Sequence, residues 1–166
     1  MIDSFTLADV RDWIRTLGVG LHFYIGKIDN KQEQSIGVYE RQAYGPPVIA
    51  VGGLDDTKTE IMQISLLIHW NKDAKETDAY ARSLYNKLLC ASQVQIAGVP
   101  INYIYLGTPK PVDVGSDAAG VYERVIWLDL YYQRIIDPLV LTSDGRHIGI
   151  TSGIYGRETI AERNGE

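Results

Sequence analysis

Apolar and polar residues alternate along five stretches of the chain, and this period of two predicts strands. The clearest stretch is Ile61–Trp70, where both faces carry apolar residues, so we place it in the middle of a sheet. Two further strands are predicted over Ile101–Leu106 and Val121–Arg134. Leu21–Ile28 and Ser35–Arg41 lie on either side of a polar turn and predict a hairpin.

Two segments instead have apolar residues at spacings of three and four, which predict helices. The first begins with Thr6 and Asp9 as a capping box and ends near Gly18. The second begins at Asp73 and carries a narrow stripe of small and apolar residues: Ala74, Thr77, Ala81, Leu84 and Leu88. The order of elements predicts an α+β domain with a mixed, mostly antiparallel sheet of about four to five strands and two helices packed on one face.

The strand–helix–strand unit around the second helix is expected to form a right-handed parallel crossover. With that topology, the two long connections, 42–60 and 107–120, leave the sheet at opposite ends. Loops of this length usually have a function or become ordered on a partner. The domain is expected to cover 1–137. The segment 138–166 is rich in glycine and has no clear period, which predicts an extended arm.

A pentapeptide, Gly-Val-Tyr-Glu-Arg, occurs at Gly37–Arg41 and again at Gly120–Arg124. Val38 shares its face with the strand's apolar residues in the first copy, whereas Tyr122 does so in the second. A shift of one residue turns every side chain to the opposite face. We therefore interpret the copies as two unrelated strand ends, at which Glu and Arg contact water, and not as a duplication.

The composition limits the classes of function. The net charge is −5 and no run of Lys and Arg residues is present, which argues against a nucleic-acid-binding protein. Eleven tyrosines against two phenylalanines favour half-exposed strands or interfaces. Cys90 is the single cysteine, so an internal disulfide is excluded, and its place at the end of a helix predicts a small buried residue. No basic and apolar leader is present and no stretch suits a bilayer span, so we expect no membrane association.

Candidate chemistry is sparse. His22, His69 and His147 lie on separate elements without metal-ligand spacing, so a structural role is favoured for each. Asp55 and Asp56 follow two glycines and are interpreted as a turn, because further calcium ligands are lacking. The sequence offers no nucleophile with a base and an orienting group. It predicts no catalytic residue, no cofactor and no metal, and hence a protein that is not an enzyme.

Several segments resemble the phage proteins described as minor capsid or tail terminator (tail completion) proteins. The resemblance covers about Thr6–Arg134, and its most specific part is the junction from Trp70-Asn71-Lys72 to Glu76-Thr77. Its other elements are the first pentapeptide, Val-Ile-Ala-Val-Gly-Gly-Leu at 48–54, the strand and helix over 64–85, and 113–124. The resemblance implies a non-enzymatic virion component whose fold is a sheet with helices on one side.

Tail terminators form a ring, typically of six subunits, that ends the tail tube and joins it to the head connector. The resemblance therefore implies as partners further copies of this chain, the tail tube protein and the connector or stopper protein, with DNA passing through without specific binding. It also implies location in the virion tail or neck, after assembly in the host cytoplasm.

Loop residues expected at partner interfaces are Arg41, Tyr44, Pro46, Pro47, Lys110 and Val112. An acidic lumen is expected to involve Asp55, Asp56, Asp113 and Asp117. The alternatives are a head-completion or neck protein and, in another class, a small-ligand or nucleotide-processing enzyme with the long loops as lids.

Overall fold

The computed structural model describes residues 5–29, 32–41 and 57–135. Helix α1 spans Leu7–Thr16 and helix α2 spans Ala74–Leu89. The strands are β1 (His22–Ile25), β2 (Ser35–Glu40), β3 (Thr57–His69), β4 (Gln95–Ile96), β5 (Val99–Leu106), β6 (Val112–Ser116) and β7 (Tyr122–Ile135). The predicted arm, 138–166, lies outside the described residues.

Both helices begin at the predicted caps. Thr6 Oγ1 accepts a hydrogen bond from the Asp9 N–H, and the Asp9 carboxylate accepts one from the Thr6 N–H at 2.7 Å. This capping box satisfies N–H groups that have no partner within the helix. The Asp73 carboxylate caps α2 in the same way, accepting from the N–H groups of Lys75 and Glu76. These caps and the stripe of buried residues on α2 confirm the predicted helices.

The strands form one mixed sheet in the order β1-β2-β3-β7-β5-β4, and β6 pairs with β7 beside β5. The α+β class and the two helices are confirmed, but the predicted count of four to five strands is wrong, because the described residues alone form a sheet of seven. Two strands escaped prediction for local reasons. β4 has only two residues, and all five residues of β6 are exposed, so β6 carries no alternation of burial.

Strands β3 and β5 both run antiparallel to β7 and are therefore parallel to each other, as expected for the two strands around α2. β7 lies between them. The end of β3 at Thr57 is opposite Ile135, whereas β6 pairs with the other end of β7, at Tyr122–Val125. The start of β3 and the β6 segment therefore lie at opposite ends of β7.

The predicted hairpin of β1 and β2 is wrong, because the two strands are parallel. After β1 the chain turns at Gly26, which has a φ of +71°, and crosses over β2. Ile28 packs against Gly37 so closely that a Cβ there would lie 2.7 Å from Ile28 Cγ1. The chain then returns at Gln34, whose N–H donates to the Trp70 carbonyl at 2.7 Å. The short polar connection was predicted to be a hairpin turn that reverses the chain direction. It is instead a short crossover that joins two parallel strands.

Alternation along β3 and β7 gives the sheet two different faces. The covered face carries Ile64, Leu66, Ile68, Ile126, Leu128 and Leu130, which are all fully buried. These residues form one core cluster with Val10 and Ile14 of α1 and with Ala81, Leu84 and Leu88 of α2. The sheet curls around this core, so that α1 contacts β1 and β2 at one end of the strand order and β4 at the other.

The open face carries the alternate residues, Gln63, Ser65, Leu67, His69, Glu123, Val125, Trp127, Asp129 and Tyr131. Neither of the helices in the described ranges packs on it.

The two copies of the pentapeptide lie on opposite faces, as the register argument predicts. Arg41 lies on the open face, where it pairs with Asp129. Arg124 lies on the covered face, in register with Ile68, and contacts Asp78 of α2 and Asp113 of β6. The expectation that both arginines contact bulk water is wrong for Arg124, because its side chain is buried by those carboxylates. Cys90 also differs from its prediction: it follows the last buried residue of α2 and is exposed.

Candidate functional site

Polar residues are buried in the middle of the open face, where apolar residues would be expected. Three of the buried polar residues, Ser35, His69 and Asp129, belong to this face. Burying such groups is costly unless they are paired. Their partners therefore identify the parts of the open face that are held in fixed positions.

The first paired group joins β2 to β7 across β3. The Arg41 guanidinium forms an ion pair with the Asp129 carboxylate and donates from Nε to the Ile64 carbonyl at 3.3 Å. The same guanidinium lies 5.4 Å from the centre of the Trp127 ring, within the range of a cation–π contact. Gln63 Nε2 donates to the second oxygen of Asp129 at 3.5 Å. Arg41 is thus held in place by contacts within the chain.

The second paired group surrounds His69, at the end of β3. Its ring is fully buried, and Nδ1 lies 2.8 Å from Oε2 of Glu123, its register partner on β7. Within the described ranges the other ring nitrogen, Nε2, has no hydrogen-bond partner, and it lies 3.8 Å from Oδ2 of Asp117. The ligand-type atoms of these three residues all lie within 4.8 Å of one another. The three side chains form the His69 cluster.

Asp117 is fixed in this cluster by the turn that connects β6 to β7. One carboxylate oxygen, Oδ1, accepts from the N–H groups of Ala119 and Val121, each at 2.9 Å. Hydrogen bonds from the backbone, that of Val121 first, lower the pKa of Asp117, and the nearby His69 lowers it further. The second oxygen, Oδ2, is left to face His69. The turn therefore holds a carboxylate that is charged at neutral pH against a buried imidazole.

Tyr39 lies beside the same part of the open face, on β2. Burial raises the pKa of Tyr39, a hydrogen bond with the backbone of Ile28 opposes this, and the charge of Glu123 adds to the rise. The side chain of Glu123 therefore affects both His69 and Tyr39. The phenol stays neutral at physiological pH, since both burial and the carboxylate disfavour its anion.

Exposed large apolar side chains occur at both ends of the strand order. Leu21 precedes β1 and Ile25 is its last residue, and they are 68% and 44% exposed; β1 is the first strand in the order. Toward the other end, exposed residues of β5 and β6, with Trp127 of the adjoining strand β7, form a second group: Tyr103, Tyr105, Val112, Val114 and Trp127. We call these groups the β1 end surface and the β5–β6 end surface. Exposed apolar groups of this kind mark interaction sites in monomers.

A groove of about 420 Å³ lies beside the β5–β6 end surface, between the C-terminal part of α2 and the outer edge of β5. It is lined by Tyr85, Leu89 and 103–109. β4 pairs only with Val99 and Pro100, so within the described ranges no strand pairs with the outer edge of 102–106. Tyr85 Oη donates to the Thr108 carbonyl at 2.8 Å and so fixes the end of the groove. A strand edge that is unpaired and lies next to a groove can accept an added strand.

The sequence-predicted site residues fall into three groups. Tyr44, Pro46, Pro47, Asp55 and Asp56 lie outside the described residues. Lys110, Val112, Asp113 and Asp117 are brought together on the segment that contains β6, with Lys110 and Val112 exposed. Arg41 lies apart from them, on the open face. Asp113 accepts from Arg124 at 3.0 Å, and Asp117 accepts from its own turn, so both carboxylates have internal partners.

Sequence reasoning missed the grouping of His69 with Glu123 and Asp117. His69 lies inside an apolar strand, and Glu123 is in the repeated pentapeptide, 54 residues further along the chain. No motif spacing connects them. The only signal is the strand register that places Glu123 opposite His69, and this becomes visible once β3 and β7 are paired.

In comparisons with known proteins, no family model and no curated sequence matches this chain. Neither helix in the part of the chain that the structure describes has the length and apolar character needed to cross a membrane.

Proposed function

We propose that this chain is a structural virion protein, a phage tail terminator that forms a ring at the head-proximal end of the tail tube. The observation that carries the proposal is the pair of apolar end surfaces. A ring is built from heterologous contacts, in which two different surfaces of each subunit meet. The β1 end surface and the β5–β6 end surface provide two such surfaces.

The unpaired edge of β5 suggests how two neighbouring subunits contact each other. Within the described ranges no strand pairs with the outer edge of β1 or with the outer edge of 102–106 in β5. We expect the β1 edge of one subunit to dock beside the β5 edge of the next, so that main-chain hydrogen bonds continue the sheet across the interface. Leu21 and Ile25 then pack near the groove that Tyr103 and Tyr105 line. Tyrosines suit this place because they bury a large apolar ring and keep a polar edge.

The resemblance described from the sequence supports the same function. Its most specific part, Trp70 to Thr77, forms the turn from β3 into α2 and is built around side-chain contacts. Asn71 Oδ1 accepts from the Asp73 N–H at 2.9 Å and lies 3.3 Å from Thr77 Oγ1. Trp70 stacks on Tyr80 with ring centroids 4.5 Å apart. These residues therefore contribute to the fold of the subunit, while the end surfaces contribute to assembly.

The partners that follow from this function are neighbouring copies of the chain in a ring, the tail tube protein and the head connector; the resemblance implies a ring of six copies. DNA passes through a lumen in which Asp113 is the best-placed acid, since its side chain is 67% exposed. Like charges keep DNA from adhering to the wall. Asp113→Asn is expected to leave assembly intact and to alter DNA passage, which infectivity and DNA-ejection assays measure.

The first experiment places one charge on each end surface. Tyr103→Lys and Leu21→Lys should each abolish rings, measured by solution mass across concentration and by electron microscopy. The matched control is Ala79→Lys, which adds the same charge at an exposed position of α2. All three variants should keep the wild-type melting temperature, because the replaced side chains lie at the surface.

Mixing the two defective variants tests whether the contact is heterologous. Tyr103→Lys retains an intact β1 end, and Leu21→Lys retains an intact β5–β6 end. The mixture should therefore form dimers and stop there. If instead only one of the two substitutions weakens assembly, the contact joins two copies of the same surface and a closed ring of this design is excluded.

The alternatives differ in their partners. Rings that bind the connector and leave tail tubes unbound would favour a head-completion or neck protein. An enzyme would use a deep polar pocket with titrating groups. The pKa values of Asp9, Tyr39, Asp78 and Asp117 are shifted, and these four residues lie outside the groove beside β5.

A further inference from the structure

We propose that the His69 cluster binds a divalent transition-metal ion of the zinc type, with His69 Nε2 and the Asp117 carboxylate as its protein ligands. The inference begins with Nε2 of His69. This nitrogen is fully buried, has no hydrogen-bond partner among the residues that the structure describes, and lies near a carboxylate oxygen of Asp117. Burying a polar atom without a partner costs free energy, so the structure should supply one.

The distance between the two atoms favours an ion over a direct hydrogen bond. The Nε2···Oδ2 distance is 3.8 Å, which is too long for a hydrogen bond. Zinc binds imidazole nitrogen and carboxylate oxygen at about 2.0–2.2 Å, so two such ligands on one tetrahedral ion lie about 3.3–3.5 Å apart. The observed separation is a few tenths of an ångström longer, so a small shift of the Asp117 side chain would bring both atoms within bonding distance of one ion.

Glu123 sets the state of the imidazole that such an ion needs. Its carboxylate lies 2.8 Å from Nδ1 and accepts a hydrogen bond from the N–H group there, so the proton of a neutral ring stays on Nδ1. The lone pair of a neutral ring is then on Nε2 and directed toward Asp117. A carboxylate behind a metal-binding histidine is a common arrangement, since it orients the ring and raises its basicity.

The surroundings also allow an ion to enter from solvent, and they carry negative charge that balances the charge of the ion. Asp117 and Glu123 are partly exposed, so an ion can enter from the turn between β6 and β7. The two carboxylates together balance a double positive charge. Imidazole with carboxylates favours zinc, nickel or copper over magnesium, which prefers oxygen ligands alone. Bound water would complete the coordination.

The test uses the full chain, stripped with chelator and then titrated with zinc chloride in a calorimeter at pH 7.5. One zinc per chain should bind and raise the melting temperature, whereas magnesium chloride should do neither. Asp117→Asn is the decisive variant, because its side-chain oxygen still accepts from Ala119 and Val121 while an amide replaces the oxygen that faces His69. It should abolish binding. Glu123→Gln should weaken binding about 10–100-fold, as loss of a supporting carboxylate does.

Asp113→Asn is the matched control, since it removes the same charge from the neighbouring strand, where Asp113 contacts Arg124. It should bind zinc like the wild type. Nitrogen-15 chemical shifts of His69 give a second readout and should show zinc at Nε2. The proposal is overturned if the wild type binds no zinc and both ring nitrogens carry protons, which would make His69 an imidazolium between two carboxylates. Zinc binding that survives in Asp117→Asn would also overturn it.

Discussion

The two faces of the sheet are stabilised by different interactions, although neighbouring residues of the same strands build both. On the covered face, aliphatic residues of β3 and β7 pack against both helices and are fully buried. On the open face, alternate residues of the same strands include a buried histidine, a buried aspartate and an exposed tryptophan. Hydrophobic burial therefore stabilises one face, and specific polar pairs stabilise the other.

The residues that stabilise the fold and the residues that can bind a partner therefore lie on different faces. A close-packed aliphatic core fixes the shape of the subunit and needs no particular chemical group, because volume and burial decide its stability. The open face and the sheet ends contain the groups that can bind something: the His69 cluster, the aromatic edge of β5 and the exposed residues of β6. Substitutions on the two faces should accordingly have different consequences.

The largest effect is expected from adjacent residues on opposite faces. Leu128→Ala should lower the free energy of unfolding by about 2–5 kcal/mol, because it leaves a cavity in the core. Trp127→Ala should cost clearly less, since that side chain is 43% exposed and its surroundings are solvent, Arg41 and Gly107. Urea unfolding of both variants measures the difference. Equal losses would mean that the open face contributes as much to stability as the core does.

The next effect concerns the ion pair of the open face. Arg41→Ala should cost about 1–3 kcal/mol, because it leaves the nearly buried Asp129 carboxylate without its main partner. Arg82→Ala breaks an exposed pair with Asp78 on α2 and should cost about 0.3–0.5 kcal/mol. The double variant Arg41→Ala with Asp129→Asn should recover part of the loss. A small effect of Arg41→Ala would show that water replaces the guanidinium.

A smaller effect is expected where the helix layer begins. Asp73→Ala should cost about 1 kcal/mol, because the N–H groups of Lys75 and Glu76 lose their acceptor. Asp73→Asn retains a side-chain oxygen and should cost only a fraction of this. Thermal unfolding compares the two. If they destabilise equally, the charge of Asp73 at the helix N-terminus matters more than its hydrogen bonds.

The smallest effect is a dependence on pH. A hydrogen bond from Arg82, supported by the charge of Arg124, lowers the pKa of Asp78 below its ordinary value of 3.8. The folded protein thus binds this proton less readily than the unfolded chain does. The contribution of Asp78 to stability is complete above pH 3.8 and is lost as the pH falls through the lowered pKa. Asp78→Asn should therefore be less stable than the wild type at pH 6 and should approach it near pH 2.5, as urea midpoints at the two pH values will show.

Local patterns in the sequence predicted the elements that depend on local physics. The capping box at Thr6, the cap at Asp73 and the stripe of α2 are all present, because these features involve residues three or four apart. The strand predicted over Ile61–Trp70 ends within one residue of the observed end of β3. The strand predicted over Val121–Arg134 begins within one residue of the observed start of β7. The parallel pairing of β1 with β2 was not predicted, because it depends on the packing of Ile28 over Gly37.

By itself the sequence determined the class of the fold, the helices, the long strands and the opposite orientation of the two pentapeptide copies. Each of these follows from the period of burial along a single element. Only the tertiary structure decided the seven-stranded order, the burial of Arg124 and the meeting of His69, Glu123 and Asp117. Those contacts depend on the register between β3 and β7 and on the turn after β6, which join residues about 50 positions apart along the chain. Pairing across such separations is set by the packing of the whole sheet, and no local pattern encodes it.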